Sequence, residues 1–239
     1  MSSITWYADS ICGLRERNED SFLARKAGEH YLFVIADGLG GPPAGDIASA
    51  TAISACNDRA EQPILDAREF LLDCLAVAEF AVLKKGYERP EWEGMGTTLI
   101  IALINPDETG LLMNVGDSRG YMINGGIIHT RDQNMAQDMV RSGQLTEEEA
   151  MHHPLSTMLN QALGEIEPPV PDFYPIDLKG KYLLLSSDGL HGFLPKETIK
   201  EIVLTGGSEL SDKVKTLIDE AIRCGSDDNI TVILAKEGE

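Results

Sequence analysis

Apolar positions along this chain fall into short, largely β-branched blocks separated by turn-forming residues. Residues 31–36, 97–104, 111–115, 121–123, 127–129, 182–187 and 229–235 read as strands. The gap Asn105-Pro106-Asp107-Glu108-Thr109-Gly110 and the shorter Asn124-Gly125-Gly126 are turn sequences, so the strands on either side of each are expected to pair as antiparallel hairpins. Helical spacing governs other segments. Over 67–85 the apolar positions Phe70, Leu71, Cys74, Leu75, Ala78, Val82 and Leu83 repeat on one face, and helices are also predicted over 46–59, 135–142, 146–152, 195–204 and 210–223. The stretch up to Asp172 is rich in Pro and poor in periodicity, so residues 132–172 are taken as a flap or insertion within a single domain spanning 1–239. Strands joined by hairpins and mixed with paired helices predict an α+β fold, a four-layer α-β-β-α sandwich of two packed antiparallel sheets flanked by helices.

The strands end in a recurring way. An Asp followed by Gly, Ser or Asn closes or opens several of them: Asp37-Gly38 after 31–36, Asp117-Ser118 after 111–115, Asp188-Gly189 after 182–187, and Asp228-Asn229 before the last strand. A lone Asp-Gly is most often just a turn. Several carboxylates brought to one edge of a sandwich repel one another unless hard cations sit between them, so a metal site is the first functional hypothesis.

Composition narrows the field. There are 39 Asp and Glu against 20 Lys and Arg, a net charge of −19, which disfavours phosphate backbones and anionic membranes as partners. No apolar run is long enough to span a bilayer, and the start, Met1-Ser2-Ser3-Ile4-Thr5-Trp6, lacks the blocks of a signal peptide, so a cytoplasmic protein is expected. Cys12, Cys56, Cys74 and Cys224 are too scattered for a zinc site and are expected to be buried thiols. The histidines, His30, His129, His152, His153 and His191, are equally scattered, and for His153 a surface or helix-end role is expected over contact with substrate through the flap.

Six short motifs occur in order: Arg15-Glu16-Arg17-Asn18-Glu19-Asp20, Ala36-Asp37-Gly38-Leu39-Gly40-Gly41, Gly96-Thr97-Thr98, Val115-Gly116-Asp117-Ser118-Arg119, Ser187-Asp188-Gly189-Leu190 and Asp228-Asn229-Ile230-Thr231. Together they resemble the type 2C, metal-dependent Ser/Thr protein phosphatases in their short bacterial form, over nearly the whole chain.

The resemblance implies hydrolysis of phosphoserine and phosphothreonine by direct attack of a water bridging two Mn²⁺ or Mg²⁺ ions, without a phosphoenzyme. Asp37 would be the bridging carboxylate, the Gly38 carbonyl would complete one ion's shell, and Asp188 and Asp228 would hold the other. Asp20 would orient metal-bound water, with Glu19 beside it on the surface. Asp117 resembles the position of a third, weaker ion shared with Asp188, and the alternative is a structural acceptor bonded to Ser118 or paired with Arg119. Arg15 would bind phosphate, its charge meeting substrate rather than the ions, while Arg17 points elsewhere. Oxygen-only ligands suit hard cations, and a planar guanidinium fits two phosphate oxygens.

The implied partners are phosphoprotein substrates and a Ser/Thr kinase system, with the protein acting as a monomer. The rival reading is a phosphatase-like module that binds phosphoproteins without turnover. An acidic Ca²⁺ module is disfavoured because the carboxylates are spread along the chain. Three departures bear on the mechanism. Leu39 stands where eukaryotic relatives carry a proton-donating His, Pro42-Pro43 follows Gly40-Gly41 where many bacterial relatives have His, and Asp132-Gln133 replaces an Asp-His pair. These changes are expected to alter substrate contacts more than metal binding.

Overall fold

The computed structural model describes residues 3–39, 44–151, 153–165, 167–207 and 209–238. Gly40, Gly41, Pro42, Pro43 and His152 lie outside the described residues, and so do the expectations placed on them.

Eleven strands are described: β1 (Ile4–Ile11), β2 (Asp20–Ala27), β3 (His30–Leu39), β4 (Gly96–Thr97), β5 (Leu99–Ile104), β6 (Thr109–Val115), β7 (Arg119–Ile123), β8 (Ile127–His129), β9 (Asp172–Asp177), β10 (Tyr182–Ser186) and β11 (Ile230–Glu237). They form two antiparallel sheets with orders β1-β11-β10-β7-β8 and β2-β3-β5-β6-β9, and β4 adds to the end of β3. The predicted hairpins β5–β6 and β7–β8 both form. Helices α1 (Ala44–Arg59) and α2 (Ala67–Gly86) cover the second sheet, while α6 (Lys196–Thr205) and α7 (Leu210–Arg223) cover the first. Shorter helices α3 (Met135–Arg141), α4 (Glu147–Met151) and α5 (Asp188–His191) complete the set.

Three apolar layers hold this together. Leu32, Val34 and Ala36 of β3 face the Ala48, Ala52 and Cys56 side of α1, whereas Tyr31, Phe33 and Ile35 face the other sheet through Leu183, Leu185 and Ile233. A strand covered on both faces must be apolar at every position, which is why β3 reads as an unbroken run instead of an alternation. On the far side, Val214, Leu217 and Ala221 of α7 pack on Leu184, Val232 and Leu234. The helix ends carry their own signals: the Asp66 side chain accepts the Glu69 amide at 2.9 Å to cap α2, whose last turn holds Lys84 and Lys85.

The sequence reading lacks β1, β2 and β9 and needs correction at one further strand. β1 and β2 lie at sheet edges and are only half-buried, with polar residues such as Asp9, Ser10, Ser21 and Arg25 breaking the apolar pattern. β9 is an edge strand carrying Pro175, tolerated because its outer side pairs with no strand. The predicted strand 97–104 is divided at Thr98, whose amide and hydroxyl are both spent on Asp37. Of the thiols expected to be buried, Cys56 and Cys74 are, but Cys12 is half-buried and Cys224 is exposed.

Candidate metal centre

All the acidic positions singled out in the sequence arrive at one end of the sandwich. Asp37 lies in the last part of β3 and Asp20 opens β2, and the two are direct antiparallel partners across the ladder. Asp117 follows β6, Asp188 follows β10 and opens α5, and Asp228 precedes β11. Like charges set opposite one another weaken a sheet, so this placement needs a compensating use.

The backbone of Asp37 is fixed from the neighbouring strand. Its amide donates to Thr98 Oγ1 at 3.0 Å, and its carbonyl accepts the Thr98 amide and the Thr97 hydroxyl, both at 2.9 Å. Gly38 follows in a crowded passage: a Cβ there would stand 2.2 Å from the Gly45 carbonyl oxygen and 2.7 Å from that of Glu19. Only glycine lets the two backbones approach this closely. Gly38→Ala is therefore expected to push α1 off β3 and lower Tm by about 3–10 °C, the range for overpacking a domain this size. Scanning calorimetry checks this, and an unchanged melting curve would contradict the close passage.

Asp20 is held by hydroxyls. Its Oδ2 accepts Ser187 Oγ at 2.8 Å and Thr231 Oγ1 at 2.6 Å, while Oδ1 is buried and has no donor. A buried carboxylate oxygen without a donor is costly, and it is suited to a cation or to water held by one. Asp228 Oδ2 meets Arg15 Nη2 at 2.8 Å, and Arg15 Nε also donates to the Asp227 carbonyl at 3.2 Å. Asn229 pins the loop that carries Arg15, donating from Nδ2 to the carbonyls of Cys12 and Arg17 and accepting the Glu19 amide on Oδ1 at 2.7 Å.

The electrostatics are those of crowded anions. Burial, then repulsion from Asp20, Asp188, Asp117 and Asp228, pushes the Asp37 carboxyl well above its usual range. Burial and the nearby Asp188 do the same to Asp117. Asp188 is pushed up to about 7 by burial and by Asp228 and Asp20, and Asp20 rises through burial despite its two hydroxyl donors. As placed, no group of three or more His, Cys, Asp or Glu side chains among the described residues stands close enough together to hold a metal ion. The side chains share a pocket, with Asp228 turned toward Arg15. The donor set nevertheless fits a hard divalent cation: every candidate atom is oxygen, the carboxylates raise one another's proton affinity, and one buried oxygen faces them without a donor.

Around these residues lies a cleft of about 450 Å³, lined by Arg15, Arg17, Glu19, Asp37, Asp188 and Asp228 and bounded by Thr157 and Leu159. Several expectations change here. Glu19, expected on the surface, is half-buried on this lining, and burial and then Asp46 raise its carboxyl. Arg17, expected to point elsewhere, also lines the cleft, 3.7 Å from Asp46. Neither structural alternative for Asp117 forms: Arg119 makes a two-point ion pair with Asp132, at 2.6 and 2.7 Å, and Ser118 Oγ bonds Thr98 Oγ1. His153 is a helix-end residue as expected, its Nδ1 accepting the Leu155 amide. His191 is buried against Ser186 Oγ at 3.0 Å, and burial holds its imidazole well below its usual pKa, hence neutral. Thr98, Ser187 and Thr231 were quoted within motifs without a role, and only the fold shows them gripping Asp37 and Asp20.

The description "Protein phosphatase 2C" matches residues 14–229 of the chain. The protein phosphatase PhpP of Streptococcus pneumoniae is 35% identical over 235 residues, 94% of each chain. In structure the chain is similar to the serine/threonine phosphatase Stp1 of Staphylococcus aureus, with a TM-score of 0.90 at 31% identity, covering 99% of this chain and 95% of the other. It is similar also to the catalytic domain of the serine/threonine protein phosphatase PstP in complex with two manganese ions, with a TM-score of 0.87 at 32% identity and 100% of both chains covered.

Proposed function

The chain belongs to the protein phosphatase 2C family and is a metal-dependent Ser/Thr protein phosphatase acting on phosphoproteins, and from that premise we propose which of its residues carry the reaction. The observation that supports the assignment best is the meeting of Asp20, Asp37, Asp117, Asp188 and Asp228 at one sheet end under a single cleft. Full-length likeness to named phosphatases disfavours a module that only binds.

Asp37, the Gly38 carbonyl, Asp188 and Asp228 would hold two divalent ions, Mn²⁺ as in the PstP complex or Mg²⁺, and Asp117 with Asp188 a third. Bound there, such ions acidify water and offset the charge of the phosphoryl group. Asp20, clamped by Ser187 and Thr231, presents its free oxygen to orient water at the ions. In this reading hydrolysis proceeds by attack of water in one displacement. Leu39 on the cleft lining cannot donate a proton to the leaving alcohol, and in this reading water supplies it. The targets of a cytoplasmic Ser/Thr kinase are the substrates this reading implies, with the enzyme acting as a monomer; light scattering that returned a dimer mass would remove the last point.

Arg15 binds the phosphoryl group in this reading. The expectation that its charge meets substrate and not the metal ligands needs amendment, since it already holds Asp228. Bound cations would give Asp228 a stronger partner and leave the guanidinium free for phosphate. Arg15→Ala is expected to lower kcat/KM for a phosphothreonine peptide about 100-fold, mostly through KM, as befits a lost charge-assisted contact. Its Mn²⁺ affinity should be no weaker than the parent's, because a positive charge has left the cation site. Steady-state kinetics and Mn²⁺ calorimetry test both points, and a parent without Mn²⁺-dependent phosphate release would end the reading altogether. Loss of Mn²⁺ binding in the variant would instead make Arg15 an orienting partner of Asp228.

A further inference from the structure

Gln133 departs from the family pattern at the start of the flap. In the fold it is the point where both ends of the flap meet the core. Its Oε1 accepts the Gly116 amide at 2.9 Å, and its own amide donates to the Gly116 carbonyl at 3.0 Å. Its Nε2 reaches across to the far end of the flap, donating to the Val170 carbonyl at 3.1 Å and to Asp172 Oδ2 at 3.2 Å. Its carbonyl accepts the Asn160 amide at 2.7 Å. One residue therefore ties the first, middle and last parts of the flap to the loop before Asp117.

Gly116 is a firm anchor. Its φ of +102° is a conformation other residues rarely adopt, and a Cβ there would stand 2.7 Å from the Thr98 methyl. Thr98 is the residue that holds Asp37. From Gln133 the order passes to the cleft: Asn134 bridges Leu159, and the Met135 amide donates to the Met158 carbonyl at 2.9 Å. Leu159 and Thr157 form the flap's share of the cleft wall. A small aryl phosphate occupies only the floor of this cleft, whereas a peptide flanking its phosphoresidue must lie against the wall.

We propose that Gln133 is a positioning residue that, by latching residues 170 and 172 to the Gly116 loop, holds Thr157 and Leu159 as a fixed wall of the cleft and thereby sets the preference for phosphopeptides over small aryl phosphates. The inference rests on the phosphatase reading given above. It assigns Gln133 no contact with substrate or ions. Its effect passes through the flap.

Gln133→Glu separates the two halves of the latch. The carboxylate keeps an acceptor for the Gly116 amide, so the Asp117 loop stays in place, but it loses the donor to Val170 and meets Asp172 with like charge. Expected is a rise of about tenfold in KM for a phosphothreonine peptide with kcat within about twofold, and kcat/KM for p-nitrophenyl phosphate within about twofold of the parent, the scale of one or two lost hydrogen bonds. Adding Asp172→Asn reverses donor and acceptor across the same gap and should return the peptide KM to within about threefold of the parent. Asp172→Asn alone, which still accepts from Gln133, should stay near the parent. Hydrogen exchange of amides 153–163 should be faster in Gln133→Glu and slow again in the double variant. Equal losses on both substrates, no rescue by Asp172→Asn, or unchanged flap exchange would each overturn the proposal. A parent silent on both substrates would sink the phosphatase reading and the proposal with it, an outcome distinct from a parent that turns over while its Gln133→Glu variant behaves identically.

Discussion

Replacing Asp37 with Asn is expected to cut Mn²⁺-dependent hydrolysis of a phosphothreonine peptide by about 10³-fold or more, while making the metal-free protein more stable than its parent. The two effects have one cause. Asp37 is half-buried among four other carboxylates and lies directly opposite Asp20 in the ladder. In the proposed reading bound cations use its charge, and removing it would remove a ligand on which ion-assisted hydrolysis depends. Without them the same charge is a liability, and an uncharged amide of nearly equal shape relieves it. Melting curves in EDTA should therefore shift upward in Asp37→Asn, by a few °C for about 1–2 kcal/mol of relief. Added Mn²⁺ should raise the Tm of the parent by mass action but leave the variant in place. A variant that kept its turnover, or that melted lower than the parent in EDTA, would show that Asp37 is not the centre of this cluster.

A second large effect concerns pH. Asp188 is held at about 7, and Asp37 and Asp117 lie well above their usual range. In the unfolded chain these groups lose their protons near pH 3.8. Between roughly pH 4 and 7 the folded, metal-free protein thus binds more protons than the unfolded chain, and its stability must fall as pH rises through that window. The contribution is intact below the unfolded value and is gone above the folded one. The Tm in EDTA is expected to drop by about 5 °C or more from pH 5 to pH 8. Mn²⁺ should reverse the trend, because cations compete with these protons and bind better as the carboxylates ionise. The high net negative charge pushes the metal-free curve in the same direction, so Asp188→Asn is the control, and its metal-free curve should be flatter. An EDTA curve as steep in Asp188→Asn as in the parent would remove the carboxylate cluster as the cause.

Much of this was legible because the buried strands advertise themselves. β3, β5 and β10 are covered on both faces, so their runs of Leu, Ile and Val could not be mistaken, and the acidic punctuation after β3, β6 and β10 led directly to the metal centre. β1 and β2 were illegible for the opposite reason. Each has one sheet neighbour and keeps polar residues on its half-exposed surface, so neither alternation nor a continuous run survives. Their omission hid the most direct local relation in the site, the pairing of Asp20 with Asp37, which no linear reading of two residues 17 positions apart supplies. Second-layer roles failed similarly. Thr231 and Ser187 grip Asp20 from the other sheet, and the role of Gln133 depends on Val170 and Asp172, nearly forty residues onward. Side chains that act on sequence-distant partners leave no periodic trace.

β11, the latest strand in the chain, lies between β1 and β10 rather than at an edge. Its entry brings Asp228 and Thr231 to the pocket and joins the earliest strand to the rest of its sheet. A chain stopped short of residue 230 lacks the strand that joins β1 to β10 and one of the two hydroxyls that hold Asp20, so it is expected to be without hydrolytic activity.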